Sequence, residues 1–331
     1  MTVQMTVIGL NQIGVSIGLA LKVGNHAITR VGSDEDILTE GKAQKLGAFD
    51  KVVHNLPSAA ENADIVVLCL PVDEIRKTLE AIAPALKPGA VVLDTSVLKT
   101  AVLNWAEGVL PEERHLLAFT PTINPEYIQE TTHGYENARA DLFQKSVFLI
   151  GSTEKTHPDA VKLAADFSTL LGAKPYFSDP VEAEGLTALV HHLPQISAVA
   201  LFRAIAAQPG WREGRKIAGP AFINTLATLE SLDERKEYGQ AMLLNSENML
   251  RVIDGLVEEL HKMRGMISSQ DAEALKAYIQ EAVDGRNLWL NKRQTHDWEF
   301  VSTPEMPTSG QWLGKLVGMG VKLKDLDKPK K

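Results

Sequence analysis

The chain has 331 residues, of which 44% are hydrophobic and 23% charged, and it carries a formal net charge of −8. This length exceeds the roughly 100–200 residues of an ordinary core and predicts two domains. The composition excludes a disordered chain, and the acidic balance excludes a general nucleic-acid binder, because phosphate recognition needs a basic surface.

From Met1 the chain runs directly into Thr2-Val3-Gln4 with no basic leader or cleavage site. No apolar run reaches the roughly 18 residues that span a bilayer, so a cytoplasmic protein with no membrane contact is expected. Over residues 1–178 short β-branched runs alternate with amphipathic stretches. Met5–Ile8, Ala27–Val31, Ile65–Leu70, Ala90–Leu93 and Val147–Ile150 read as strands. Between them, Val15–Val23, Asp36–Leu46, Val72–Leu86 and Thr100–Val109 carry helical spacing. This is the pattern of a parallel sheet with crossover helices. Cys69, the single cysteine, lies inside one of the strands, where it reads as a small core residue and excludes a disulfide framework.

After Asp179-Pro180 the strand signal ends and long segments rich in Ala, Leu, Glu and Lys follow, such as Ser246–Met266 and Asp271–Gln294. The expected fold is α/β: an N-terminal Rossmann-type doubly wound parallel sheet over 1–178, an all-helical domain over 179–300, and a C-terminal extension over 301–331. Helices this long cannot all bury a face within a domain of about 150 residues, so a homodimer through the helical half is expected.

The first strand leads into Gly9-Leu10-Asn11-Gln12-Ile13-Gly14, followed by Ser16 and Gly18. In a dinucleotide-binding turn the first glycine makes the bend, the second admits the pyrophosphate and the third lets helix and strand pack. Asn11 holds the second position, which tolerates left-handed backbone but brings a side chain toward the pyrophosphate. The second strand runs out through Val31-Gly32-Ser33-Asp34, and Asp34 is placed to bond a ribose 2′-hydroxyl. That carboxylate would repel a 2′-phosphate, and Arg30 lies inside the strand, so NAD is expected rather than NADP.

Ordered along most of the chain, these residues carry a resemblance. Val7-Ile8-Gly9-Leu10 with Ile13-Gly14 and Ser16, Leu46-Gly47-Ala48-Phe49-Asp50, and Leu70-Pro71-Val72 with Leu86-Lys87-Pro88-Gly89-Ala90 fit one family. So do Ala138-Arg139-Ala140-Asp141-Leu142-Phe143, His192-Leu193-Pro194-Gln195, and Asn245 with Glu247-Asn248-Met249-Leu250. Together they resemble the prephenate and arogenate dehydrogenases of tyrosine biosynthesis. The resemblance implies an oxidative decarboxylation of a small carboxylated substrate: hydride passes from the hydroxyl-bearing ring carbon to a nicotinamide, and the ring loses carbon dioxide and becomes aromatic. It adds Leu70, Pro71 and Ser96 to the cofactor set.

The chain departs from that pattern at three places. The family's Gly-His-Pro-Met segment stands here as Phe119-Thr120-Pro121-Thr122, and its Gly-Ser-Val-Lys segment as Thr95-Ser96-Val97-Leu98-Lys99. A His-Asp pair is replaced by Ala183-Glu184, and Gly219–Thr225 holds no arginine for the substrate. A threonine hydroxyl is no base near neutral pH without a neighbour, so the base must come from elsewhere. Expected catalytic residues are His192, Lys99 and Thr120, with Asn124, His133, His191 and Glu184 toward the substrate. His192 reads either as the base or as a satisfied structural histidine, and Lys99 either as a carboxylate anchor or as a solvated lysine. No His, Asp or Glu spacing resembles a metal site. Trp289, Trp298 and Trp312 read as packing residues of the extension. Two other functions remain open: a non-catalytic dinucleotide-binding paralogue, and an enzyme like the 3-hydroxyacid dehydrogenases, for which Lys99 is misplaced.

Overall fold

The computed structural model describes residues 3–24, 26–130, 134–229, 232 and 238–296. Eight strands form one sheet: β1 (Val3–Ile8), β2 (Ile28–Ser33), β3 (Lys51–Val52), β4 (Ile65–Leu68), β5 (Val91–Asp94), β6 (His115–Pro121), β7 (Val147–Gly151) and β8 (Lys174–Ser178). Their spatial order is β3-β2-β1-β4-β5-β6-β7-β8. The β-branched runs are buried on both faces, as central parallel strands must be. Along β4, Ile65 and Val67 pack into one core with helix α1 (Gln12–Val23) and helix α6 (Pro158–Leu170). Val66 and Leu68 pack into the other with helices α4 (Val72–Ile82) and α5 (Thr100–Val109). Short helices α2 (Ile37–Lys45) and α3 (Leu56–Ala60) complete this domain.

The sheet departs from the wholly parallel expectation at one ladder, since β6 and β7 are antiparallel, with Thr120 opposite Leu149. The connecting segment holds only two 3-10 turns among its described residues, Pro125–Tyr127 and Tyr135–Asn137. A parallel return needs a full crossover, usually a helix, and none is present in these residues. Strand β8 lies at the sheet edge with Pro175 inside it, which is why no apolar run marks it.

Arg30 on β2 is fixed by Asp50, Nη2 to Oδ1 at 2.6 Å, and its Nη1 also donates to the carbonyls of Gly18 and Gly47. It therefore ties β2 to α1 and does not face the cofactor edge. The hydrogen bonds from Arg30 hold the Asp50 carboxyl below the usual carboxylate range. Stability from this pair is fully present above about pH 4 and is lost as pH falls through the lowered value. An Asp50→Asn variant should melt below the wild type at neutral pH, and the gap should close on acidification; a gap that widens in acid would contradict the pairing.

The second unit begins with helix α7 (Pro180–Thr187), passes through a π-helical turn (Ala188–His192) and continues as α8 (Leu193–Ala206). Pro194 has no N–H for the Val190 carbonyl and its ring crowds that turn, so the helix widens just before it. The continuous Pro180–Ala206 helix is long and apolar enough, by length and composition, to cross a membrane, which corrects the expectation that no such run exists. It is built into the domain junction: Ala183, Glu184, Thr187, Ala188 and His192 are buried within the molecule.

Beyond it lie α9 (Trp211–Gly214), α10 (Pro220–Leu226), α11 (Tyr238–Leu244), α12 (Ser246–Ser268) and α13 (Ala272–Thr295). The long helices α12 and α13 form an antiparallel hairpin, with Asp271 accepting from the Ala274 N–H to cap the second. The helical unit has a small core among the described residues, Ala188, Met249 and Val252 with Leu193, Ile196 and Met242 around them, and α13 buries none of its side chains in it. Leu250, Val257, Leu260, Ile267, Ile279, Val283, Leu288 and Trp289 stay exposed on this hairpin. Trp298, Trp312 and the expected extension lie outside the described residues.

Candidate dinucleotide and substrate site

The strand order reverses between β1 and β4, and the carboxyl ends of these strands open the crevice where open α/β sheets bind ligands. Gly9 turns the chain there with φ +93°, and a Cβ on it would stand 2.3 Å from the Cys69 carbonyl oxygen. A Cβ on Gly14 would meet the Gly9 oxygen at 2.2 Å, and one on Gly18 the Ala48 oxygen at 2.6 Å. The three glycines are therefore demanded by contact between backbones. Asn11 solves the second position differently from expectation: its φ is −76°, in the extended region, so left-handed backbone is not required. It caps α1, with Oδ1 accepting from the Gly14 N–H at 3.1 Å and Nδ2 donating to the Cys69 carbonyl at 2.9 Å. Its amide is thus drawn back onto the loop. The N–H groups of Gln12 and Ile13, in the first turn of α1, have no partner within the helix and suit an anion. Leu70 and Pro71 border the same crevice at the start of α4. Burial pushes the Cys69 thiol up to about 12, so it is an inert core group.

Asp34 stands at the end of β2, half-buried, with the Leu10 N–H donating to Oδ2 at 2.6 Å and the Asp36 N–H to Oδ1. Glu35, Asp73 and Glu74 lie around it, and burial together with these like charges raises the Glu74 carboxyl. A ribose hydroxyl can donate into this rim, whereas a phosphate would meet only negative charge. The glycine cradle and this carboxylate fit a nicotinamide dinucleotide lacking a 2′-phosphate.

At the end of β5 the side chains turn inward. Ser96 donates from Oγ to Asp94 Oδ2 at 2.7 Å, and its N–H donates to Oδ1. Lys99 is fully buried, with Nζ donating to the Ser96 carbonyl, and lies among the carboxylates of Asp94 and Glu184. Glu184, from α7, accepts the Lys99 backbone N–H at 3.1 Å and so links the helical unit to the sheet. Burial raises the Asp94 carboxyl and lowers the Lys99 ammonium. This corrects the solvated reading of Lys99, and it sets Glu184 at the junction, where one carboxylate oxygen is taken by the Lys99 N–H. Asp94, which the sequence reading passed over, is the anion that makes the buried lysine tolerable.

The other expected residues divide. Thr120 sits on β6 beside the end of β5, with a buried Oγ1 that has no hydrogen-bond partner among the described residues. Asn124 is buried and occupied, with Oδ1 capping the next turn through the Glu126 N–H and Nδ2 reaching the Asp141 carbonyl. His133 lies outside the described residues. His191 is exposed, whereas His192 is buried in the π-turn with Nδ1 2.6 Å from Tyr238 Oη. Tyr238 in turn donates to Gln195 Oε1. π-Turns in α-helices gather at functional sites, and this one packs His192 against Tyr238 of α11.

An open sheet with a glycine turn at its switch point, an acidic residue closing the second strand and a following helical unit defines a two-domain dinucleotide-binding protein of dehydrogenase architecture. Residues 17–177 match the model of the prephenate dehydrogenase nucleotide-binding domain, and residues 179–281 match that of the prephenate dehydrogenase dimerization domain. The chain belongs to the prephenate dehydrogenase family. It is 27% identical to the cyclohexadienyl dehydrogenase of Zymomonas mobilis, over 88% of this chain and 97% of that protein. It is 25% identical to the prephenate dehydrogenase of Bacillus subtilis, over 84% of this chain and 74% of that protein. Among solved structures, the fold is similar to prephenate dehydrogenase from A. aeolicus in complex with hydroxyphenyl propionate and NAD+. That match has a TM-score of 0.75 at 21% identity and covers 86% of this chain and 98% of the other. Arogenate dehydrogenase from Synechocystis matches with a TM-score of 0.68 at 24% identity, over 86% and 99% of the two chains.

Proposed function

We propose that this protein is an NAD-dependent dehydrogenase that oxidatively decarboxylates prephenate or arogenate, acting as a cytoplasmic homodimer. The observation that carries the reading is the cofactor cradle: Gly9, Gly14 and the capped Asn11 at the switch point, with Asp34 anchored to Leu10 beside it. Gly9 through Gly14 would hold the pyrophosphate and Asp34 the ribose. When bound, NAD supplies the hydride acceptor.

The remaining work falls to side chains of the junction. As the ring C–H bond gives up hydride, the hydroxyl proton passes to Nε2 of His192. The bond to the ring carboxylate then breaks and carbon dioxide leaves, while its electron pair passes through the ring to the new carbonyl oxygen, which takes the proton back from His192 and becomes the phenol. A histidine suits this task because its neutral form is populated near pH 7, and a buried imidazole held by a third group is the usual arrangement of an oriented base. Thr120 stands where the family's histidine stands and offers a hydroxyl to orient the substrate. Lys99, Glu184 and Asn124 act by holding the site's walls. The homodimer rests on the exposed apolar stripe of α12 and α13. Sedimentation equilibrium of the full chain should give twice the protomer mass.

The test is nicotinamide reduction by the purified protein, with NAD or NADP against prephenate and arogenate. NAD should support turnover and NADP much less. His192→Ala should lower kcat by about 100-fold or more, in line with the usual worth of a general base. Turnover unaffected by that substitution would remove His192 from the reaction, and reduction of NADP in preference to NAD would contradict the role of Asp34.

A further inference from the structure

Tyr238 carries a single hydroxyl proton and contacts two side chains of different kinds, the Gln195 amide and the His192 imidazole. Gln195 presents Oε1, which can only accept, and the Tyr238 O–H donates to it. That proton is then spent. At 2.6 Å, the contact between Tyr238 Oη and His192 Nδ1 must be a hydrogen bond in which the imidazole donates. A neutral histidine has one N–H, and here it is consumed on Nδ1, so the lone pair is on Nε2.

We propose that Tyr238 is a positioning residue that fixes the tautomer and ring orientation of His192, with Gln195 fixing Tyr238 in turn. This rests on the reading of His192 as the base and adds the residues that make it one. The relay joins two elements that local sequence does not connect: His192 and Gln195 flank Pro194 at the start of α8, and Tyr238 opens α11. The rings of His192 and Tyr238 also pack, with centroids 5.4 Å apart, so α11 sets both the position and the protonation of the imidazole. A phenol suits this better than a carboxylate would. It accepts the Nδ1 proton without adding a buried negative charge that would hold the imidazole protonated.

The experiment uses the full chain as wild type, Tyr238→Phe, Gln195→Leu and His192→Ala. Nitrogen-15 NMR of histidine side chains reads the tautomer directly, with His192→Ala assigning the signal. In the wild type, His192 should be the Nδ1–H tautomer, and Tyr238→Phe, which keeps the ring and its packing, should give mixed tautomers. Turnover should fall about 10-fold or more in kcat, with little change in KM, and the acid limb of the kcat–pH profile should move. Gln195→Leu frees the Tyr238 proton and should cause the same changes more weakly. An Nε2–H tautomer in the wild type, or a Tyr238→Phe enzyme with unaltered tautomer, kcat and pH profile, would overturn the proposal. A wild-type Nδ1–H tautomer lost in Tyr238→Phe, but with turnover indifferent to His192→Ala, would keep the relay and overturn only the assignment of the base.

Discussion

Replacing Gly9 by alanine is expected to lower the melting temperature by on the order of 10 °C and to abolish stabilisation by NAD. Two costs add at this position. Its φ of +93° is poorly open to side chains, worth about 1–3 kcal/mol. The new Cβ would also stand 2.3 Å from the Cys69 carbonyl oxygen, so β1 and β4 must part, which costs about 1–3 kcal/mol more. For a domain of this size each kcal/mol moves the melting temperature by about 2–4 °C. Gly41 on α2 provides the control, because a Cβ there meets nothing within 4 Å. Gly41→Ala should stabilise by about 0.5–1 kcal/mol through helix propensity alone. Thermal melts with and without NAD check both substitutions. A Gly9→Ala protein that melts and binds like the wild type would show that the loop does not need the conformation described.

The second large effect is expected at the domain junction. Lys99→Met keeps the length of the side chain but leaves Asp94 and Glu184 buried without the cation between them. Removing one partner from a buried charge cluster costs about 3–5 kcal/mol. The loss should depend on pH in a set direction. Burial already raises the Asp94 carboxyl and Lys99 opposes that rise, so without the lysine the folded value climbs further above the unfolded one. A raised carboxyl favours the folded state at low pH, and that advantage is lost as pH rises through the folded value. The deficit of Lys99→Met relative to wild type should therefore be largest at neutral pH and shrink on acidification, as read by urea denaturation. A deficit that grows in acid would mean that Asp94 is ionised and partnered in some other way.

What the sequence makes legible is what its local periodicity encodes. The β-branched runs marked β1, β2, β4, β5 and β7 because both of their faces are buried, whereas β6, built on Leu116, Leu117, Ala118 and Phe119, lacks such a run and was not named; the glycine turn was visible because its residues are consecutive. Asn11 was read as a tolerated exception to the glycine pattern; its service as an N-cap follows from its standing three residues ahead of Gly14. The junction was less legible. Lys99 read as a carboxylate anchor or a surface lysine because Glu184, the group that accepts its backbone N–H, lies 85 positions away. Tyr238 lies 46 positions from His192, and no spacing rule marks that pair. Strand β8 was missed because an edge strand has only part of its surface to bury, and Pro175 within it argues against a strand.

The most direct test of the central claim is stoichiometric. Purified protein with NAD and prephenate, or NAD and arogenate, should yield NADH, carbon dioxide and the aromatic product in equal amounts. Hydride transfer and loss of the ring carboxylate belong to one reaction, and an enzyme of this kind cannot deliver one without the other. NADH formed without carbon dioxide, or no NADH from either substrate in a protein that still binds NAD, would contradict the account.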